Sequence, residues 1–185
     1  MRRPAATRAR VGGLLLMAIA MAGCSAGPTT TGGTSTAASA ATAPATTVPA
    51  QLPPAYLAEA KPVEGNVPTN GDVHINGKDY PHSVVQPSYI APGNVTQTQY
   101  DLGRRCDRLT FTAGLTDDST SGGTIQFDVF GDDRPLLSVR LDFGHDSTQS
   151  VDVSQVLRLK LQNSGIKGTG NLRAGWGNAA IICHA

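Results

Sequence analysis

Alternation of apolar and polar residues is the dominant pattern in the C-terminal half of the chain. In residues 108–115, apolar side chains at Leu109, Phe111, Ala113 and Leu115 are separated by polar or small ones. The same period of two recurs in three further runs. Such alternation is typical of a β-strand that buries one face. We therefore predict strands over residues 108–115, 124–130, 137–143 and 155–161.

Turn-forming residues separate these runs. Asp, Ser, Asn and Gly cluster at residues 117–119, 121–123, 131–133 and 163–165, and these residue types favour tight turns. Upstream, Asn76-Gly77 lies between apolar residues, which is the strongest short signal for a β-hairpin. Short strands at this spacing indicate an antiparallel sandwich or barrel. We predict at most one helical turn, over residues 56–61.

The N-terminus has the pattern of an export signal. Four arginines precede the apolar residues 11–22, a stretch shorter than the about 20 residues of a membrane-spanning helix. The following Met21-Ala22-Gly23-Cys24 looks like the lipobox of bacterial lipoproteins. That resemblance implies that residues 1–23 are a lipoprotein signal peptide, that Cys24 is lipidated, and that the protein is exported to the outer face of the cell membrane. The alternative is an ordinary secretory signal with a coincidental cysteine.

Residues 24–54 have the composition of a flexible tether. Thr, Ala, Ser, Pro and Gly make up nearly all of this segment, and no charged residue occurs from Ser25 to Ala58. Such a segment cannot bury enough apolar surface to offset the entropy of ordering it. We predict a disordered tether with a reach on the order of 30 Å, followed by one folded domain over residues 55–185.

The charge of the mature chain excludes two classes of partner. The full chain has 15 basic and 14 acidic residues; without residues 1–23, which hold four arginines and no acid, 11 basic residues remain against 14 acidic ones. A chain of this charge lacks the basic excess that nucleic-acid binding requires. It also has no electrostatic attraction to anionic lipid, so we expect membrane contact through the lipid anchor only.

Two cysteines remain after Cys24. Because exported chains meet an oxidising compartment, we predict that Cys106 and Cys183 form a disulfide. It would close a loop of about 80 residues and contribute roughly 4 kcal/mol by the chain-entropy argument. The alternative is two separate buried thiols.

Six segments of the domain, in chain order, are similar to those of one known family. They are INGKDYPHS at residues 75–83, YDLG at 100–103, LTFTAGLTDDS at 109–119, VFGDD at 129–133, VDV at 151–153 and WGNA at 176–179. With these segments in this order, the domain resembles the NPCBM/NEW2 domain, whose proposed role is carbohydrate binding in exported proteins that include family 98 glycoside hydrolases. The resemblance implies an all-β fold, an antiparallel jelly-roll sandwich of the galactose-binding-like type. It also implies a surface glycan or cell-wall polymer as the ligand.

Candidate ligand contacts follow from the chemistry of sugars, which are bound by aromatic rings and planar polar groups. The candidates near turns or in Gly-rich segments are Trp176, Tyr80, Tyr89, Tyr100 and His145. For each aromatic residue the alternative is a place in the core. With only one Trp, four Tyr and four Phe in the chain, we expect a shallow site formed by loops at one end of the sandwich.

Neither a metal site nor an active site is expected. The four histidines lack the spacing of a zinc site. The acid pairs Asp117-Asp118 and Asp132-Asp133 occupy turns, where acids normally accept hydrogen bonds from backbone amides; a structural calcium ion is the alternative. No nucleophile motif or phosphate-binding loop occurs.

The sequence therefore predicts a cell-surface lipoprotein that holds a glycan without catalysis. One alternative keeps the fold and makes it a module for protein interaction or assembly in the envelope. A further alternative, a hydrolase, would need two carboxylates in one cleft.

Overall fold

Eleven β-strands make up the regular secondary structure in the computed structural model, which describes residues 50–86 and 92–185. The predicted signal peptide, Cys24 and most of the predicted tether lie outside the described residues. In the described part no helix is long and apolar enough to cross a membrane. The strands are β1 (Ala55–Tyr56), β2 (Glu64–Gly65), β3 (Thr69–Ile75), β4 (Lys78–Gln86), β5 (Val95–Asp101), β6 (Cys106–Leu115), β7 (Thr124–Gly131), β8 (Arg134–Asp142), β9 (Asp146–Asp152), β10 (Arg158–Lys167) and β11 (Ala174–Cys183).

The strands form two antiparallel sheets. Sheet I has the order β3-β4-β11-β6-β9, with β1 also paired to β11, and sheet II has the order β2-β5-β10-β7-β8. All strand pairs in both sheets are antiparallel. The prediction of an all-β antiparallel sandwich is therefore confirmed.

The core lies between the two sheets and consists of the inward residues of the alternating strands. The inward apolar residues of three central strands are buried: Leu109, Phe111 and Ala113 of β6, Ile125, Phe127 and Val129 of β7, and Leu159 and Leu161 of β10. Trp176 lies at the centre. Its ring contacts the edges of Phe111 and Phe127, with ring centroids 4.9 and 5.3 Å apart, a geometry that aromatic pairs prefer.

Two of the four strands predicted from the alternating pattern, residues 108–115 and 124–130, correspond to β6 and β7. The other two predictions need correction at their bounds. Strand β8 begins at Arg134, before the predicted residue 137, and β10 begins at Arg158, not at residue 155, and continues to Lys167. Strands β5 and β9 were not predicted, because neither has a regular alternation of apolar residues. Strand β9 buries only Val151, and the inward face of β5 includes the polar Thr98 beside Tyr100.

The predicted hairpin at Asn76-Gly77 is formed by β3 and β4, and its tip bends over the outer face of sheet I. The bend lies where the register of the two strands shifts between Gly71 and Val73. Gly71 has a φ of 140°, which suits a residue without a side chain. Pro81 lies opposite this shift, where the missing N–H of a proline removes no regular hydrogen bond.

Three glycines on the outer face of sheet I form the seat of this hairpin. A Cβ at Gly114 would lie 2.3 Å from Ile75 Cγ2, one at Gly175 would lie 2.9 Å from Ile75 Cδ1, and one at Gly177 would lie 2.6 Å from Tyr80 Cγ. Any side chain at these positions would therefore prevent the close approach. The hairpin side chains form a second, smaller apolar cluster of Val73, Ile75, Val85 and Tyr80.

The opposite end of the sandwich contains the disulfide. Cys106 and Cys183 are partners in the register of β6 and β11, and their sulfurs are bonded at 2.06 Å. The predicted disulfide is thus confirmed. Gln51 pairs with His184 in an isolated bridge, so the described chain enters the domain at this disulfide end.

Candidate functional site

A polar cleft of about 290 Å³ lies where the hairpin meets the loops of sheet I. Its walls come from β3, from the β6–β7 loop and from the residue that precedes β11. We call this the hairpin-end cleft. Its lining residues are Asp72, Val73, His74, Thr116, Asp117, Asp118 and Arg173.

Asp117 holds the hairpin turn against one wall of the cleft. Its carboxylate accepts hydrogen bonds from the backbone N–H of Asn76 at 2.8 Å and of Gly77 at 2.9 Å. Both turn residues have positive φ, 50° and 71°, as a type I′ hairpin turn requires. Ile75 also forms an isolated bridge to Thr116. These contacts fix the position of β3 beside the β6–β7 loop.

A second carboxylate binds the same turn from the other side. Asp146 of β9 accepts a hydrogen bond from Asn76 Nδ2 at 2.7 Å and pairs with Lys78 Nζ at 3.1 Å. The bond from Asn76, followed by that from Lys78, holds the pKa of the Asp146 carboxyl below its usual range. The hairpin turn is therefore bound by two carboxylates, one from the β6–β7 loop and one from the first residue of β9.

Asp118 and Arg173 join the two loops that close the cleft. The Asp118 carboxylate contacts the Arg173 guanidinium and the hydroxyl of Thr116. Partial burial disfavours the charged carboxylate, but the hydrogen bonds from Thr116 and Arg173 outweigh it and lower the pKa of Asp118. Ser119 completes the junction, because its hydroxyl accepts a hydrogen bond from Arg173 N at 2.9 Å.

Two further polar side chains at the cleft are open to solvent. Asp72 is exposed and has neither a side-chain hydrogen bond nor an ion pair within residues 50–86 and 92–185. The His74 side chain is 68% exposed, and its Nδ1 lies 2.5 Å from Asp79 Oδ1. These groups can therefore bind a ligand without giving up a buried contact.

Two of the predicted ligand residues lie in the core. Trp176 is fully buried between Phe111 and Phe127, and Tyr100 is 1% exposed. A side chain in such a position cannot touch a sugar bound at the surface, so the prediction of direct contact was wrong for both. The Gly-rich surroundings of Trp176 serve the hairpin seat on the outer face, while the indole points inward.

The other three predicted residues are not brought together. Tyr80 is half-buried over Gly177, and Tyr89 lies outside the described residues. His145 is exposed in the β8–β9 turn at the hairpin end, but it does not line the cleft. The structure instead assembles residues that sequence reasoning left out of the site, above all Arg173, which belongs to no recognisable motif.

The acid pair at the disulfide end has a structural role. Asp132 accepts hydrogen bonds from the N–H of Arg158 at 2.8 Å and of Leu157 at 3.2 Å, which lower the pKa of its carboxyl. Asp133 pairs with Lys160 at 2.8 Å. Within the described part of the chain, no group of three or more His, Cys, Asp or Glu residues could hold a metal ion.

Comparison with solved structures shows the fold. A CBM51 module of the GH95 enzyme from Clostridium perfringens, solved in complex with methyl-galactose, is 16% identical with a TM-score of 0.57, and the match covers 70% of this chain and 99% of that one. A CBM51-2 module of ZmpB from the same organism, solved with GlcNAc and with INT domains, is 14% identical with a TM-score of 0.58, covering 72% and 32%.

The tandem CBM51 modules of the family 98 glycoside hydrolase of Streptococcus pneumoniae SP3-BS71 give 13% identity and a TM-score of 0.59, covering 71% of this chain and 47% of that one. This chain thus spans nearly all of the first structure, about a third of the second and about half of the third.

Comparison with curated proteins returned no match. The family model of the NPCBM/NEW2 domain, in contrast, matches residues 52–182. This range contains β1 to β10, all of β11 except its last residue, and the hairpin-end cleft. The fold likeness and the family match agree with each other and with the motifs in the sequence, and the chain therefore belongs to the NPCBM/NEW2 domain family.

Proposed function

We propose that this protein is an exported, lipid-anchored module that binds a surface glycan or cell-wall polymer at the hairpin-end cleft without catalysis. The observation that carries the proposal is the membership of the NPCBM/NEW2 family. A structural neighbour solved with methyl-galactose and another solved with GlcNAc support it further.

The chemistry of the cleft suits a sugar. Its open groups are the Asp72 carboxylate and the His74 imidazole, and the Arg173 guanidinium, 32% exposed, lies beside them. Carboxylates accept and guanidinium groups donate hydrogen bonds in fixed planes, which is how proteins orient vicinal hydroxyls. Because an apolar cavity of about 150 Å³ holds benzene, a cleft of 290 Å³ has room for about one sugar ring.

Three carboxylates line this cleft, so a hydrolase has to be weighed. Glycoside hydrolysis needs one carboxyl that stays protonated to act as the acid, and hence a raised pKa. Asp118 has the opposite shift, because Thr116 and Arg173 stabilise its charged form. Asp117 is occupied by the two turn amides. These contacts support binding over hydrolysis.

A multivalent glycan array probed with the full 185-residue chain tests the proposal. We expect binding to one class of glycan, and we expect Asp72→Ala and Arg173→Lys each to weaken it by about tenfold. Asp72→Ala removes a charged acceptor, and Arg173→Lys keeps the charge but removes the planar pair of donors. Asp133→Ala, an exposed acid at the disulfide end, is the matched control and should leave binding unchanged. Absence of any hit, or equal loss in all three variants, would contradict the proposal.

The place of the protein in the cell is a separate part of the proposal and rests on Cys24. Acylation of this residue would hold the domain at the outer face of the membrane, with residues 24–54 as the tether. We expect cells that express the protein to incorporate a fatty-acid label into it and to retain it in the membrane fraction. Cys24→Ala should abolish both. A labelled Cys24→Ala protein would refute the assignment of this residue.

One observation favours the envelope-assembly alternative. Among the residues that the structure describes, no Trp, Tyr or Phe lines the hairpin-end cleft, although stacking on such rings contributes much of the affinity for sugars. Crosslinking in cells followed by mass spectrometry distinguishes the two functions. One dominant protein partner that is lost in Asp72→Ala, together with a blank glycan array, would assign the cleft to a protein.

A further inference from the structure

A second cavity, unlike the first, opens at the disulfide end between the two sheets. Its volume is about 340 Å³. The walls are formed by aliphatic side chains from the β1 region, the β5–β6 connection and β11, and by the disulfide itself. The residues that form these apolar walls are Leu52, Leu57, Leu102, Ile181, Cys106 and Cys183. Such walls offer a ligand no hydrogen bonds.

Two cations at this cavity have no acidic partner. Lys61 and Arg105 both line it, and neither forms an ion pair with any described residue. The acidic side chain that lines the cavity, Asp101, is already bound by Arg158 at 3.2 Å and by the N–H of Gly103 at 3.0 Å. His184, which also lines the cavity, lies 3.4 Å from Asp107, so Lys61 and Arg105 are the charged side chains of the walls that are left to pair with a ligand.

From the apolar walls and the two unpaired cations we infer that the cavity binds a small amphiphilic carboxylate, with an apolar body against the aliphatic walls and an anionic head that accepts from Lys61 and Arg105. A cavity about twice the size of one that holds benzene accommodates a body of on the order of ten non-hydrogen atoms. Sugars fit this cavity poorly, because its walls would leave most of their hydroxyls without partners. The site is distinct from the hairpin-end cleft, which shares none of its lining residues.

Titration calorimetry of the full chain with octanoate tests the inference. We expect saturable binding of octanoate, and at least tenfold weaker binding of octanol and octylammonium, which have the same body without the negative charge. Glucuronate, which has the charge without the apolar body, should also bind at least tenfold more weakly. No binding of octanoate at millimolar concentration would overturn the inference, and so would equal binding of octanol or preferential binding of glucuronate.

Two variants assign the residues. Lys61→Gln and Arg105→Gln should each weaken octanoate binding about tenfold, whereas Lys78→Gln, at the hairpin end, is the matched control and should not. Unchanged octanoate affinity in both Lys61→Gln and Arg105→Gln would refute the assignment.

Discussion

Substitution of Gly114 by alanine tests whether the hairpin is seated on sheet I as described. The new Cβ would lie 2.3 Å from Ile75 Cγ2 and 3.2 Å from the carbonyl oxygen of His145. Carbon atoms in contact are normally about 3.5–4.0 Å apart, so Ile75 has to move. Because overpacking of a filled site costs about 1–3 kcal/mol, we expect Gly114→Ala to lower the free energy of unfolding by that amount.

The double variant separates this clash from other effects of the substitution. Ile75→Ala alone removes a fully buried side chain and should cost about 2–5 kcal/mol. In that background the Cβ at residue 114 keeps only its contact of 3.2 Å with the carbonyl oxygen of His145 and a van der Waals contact with Asp146, so Gly114→Ala should cost much less. The two substitutions should therefore be non-additive, with a coupling of about 1–3 kcal/mol.

Urea unfolding followed by fluorescence measures these energies, because the single Trp of the chain, Trp176, is buried in the core. Gly131→Ala is the matched control. Its Cβ would lie 2.6 Å from Val156 Cγ2, a similar crowding at the disulfide end, so it should destabilise but add to Ile75→Ala within about 0.5 kcal/mol. An equal cost of Gly114→Ala with and without Ile75 would refute the seating of the hairpin.

Three further predictions concern the disulfide and the two carboxylates that stabilise the domain. Loss of the disulfide in Cys106→Ala/Cys183→Ala should lower the free energy of unfolding by about 4 kcal/mol, and a reducing agent should have the same effect on the wild type but none on the variant. Asp117→Ala should cost about 1 kcal/mol and accelerate hydrogen exchange of the two turn amides, with a smaller effect for Asp117→Asn. The pKa of Asp146 is lowered in the folded protein, so its charged carboxylate stabilises the fold at any pH above the pKa of an unfolded Asp, about 4. This stabilisation is lost as the pH falls through the lower pKa of the folded state. In urea titrations at pH 7 and pH 3, acid should therefore destabilise Asp146→Asn less than the wild type.

The sequence predicted the sandwich well where strands alternate, and less well where they do not. Strands β6 and β7 each bury one apolar face, and their runs in the sequence match the structure. Strand β9 lies at the edge of sheet I and buries only Val151. An edge strand that buries one side chain shows no alternation of apolar and polar residues in its sequence. Its strand conformation comes from its hydrogen bonds to β6.

The hairpin-end cleft could not be predicted from the sequence, because it is formed by contacts between residues that are far apart in the chain. Asp117 meets the turn at Asn76 across 41 residues, and Asp118 meets Arg173 across 55. The bend at Gly71 brings these segments together, and no local pattern shows where the hairpin tip will lie. The outward positions of Gly114 and Gly175 were the available signal, since a pair of glycines on one face of neighbouring strands indicates close approach of another segment.

The hairpin links the stability of the domain to the cleft. Val73 and His74 of β3 line the cleft, and Asp117 both lines it and binds the turn, so the cleft exists only while the hairpin is docked. A ligand that binds only the docked state stabilises it, by about 2.7 kcal/mol at a hundred times its Kd. By the same linkage, Gly114→Ala should weaken binding at the cleft as it lifts the hairpin. Gly131→Ala, which crowds the other end of the sandwich, should lower stability without changing the affinity of the folded protein.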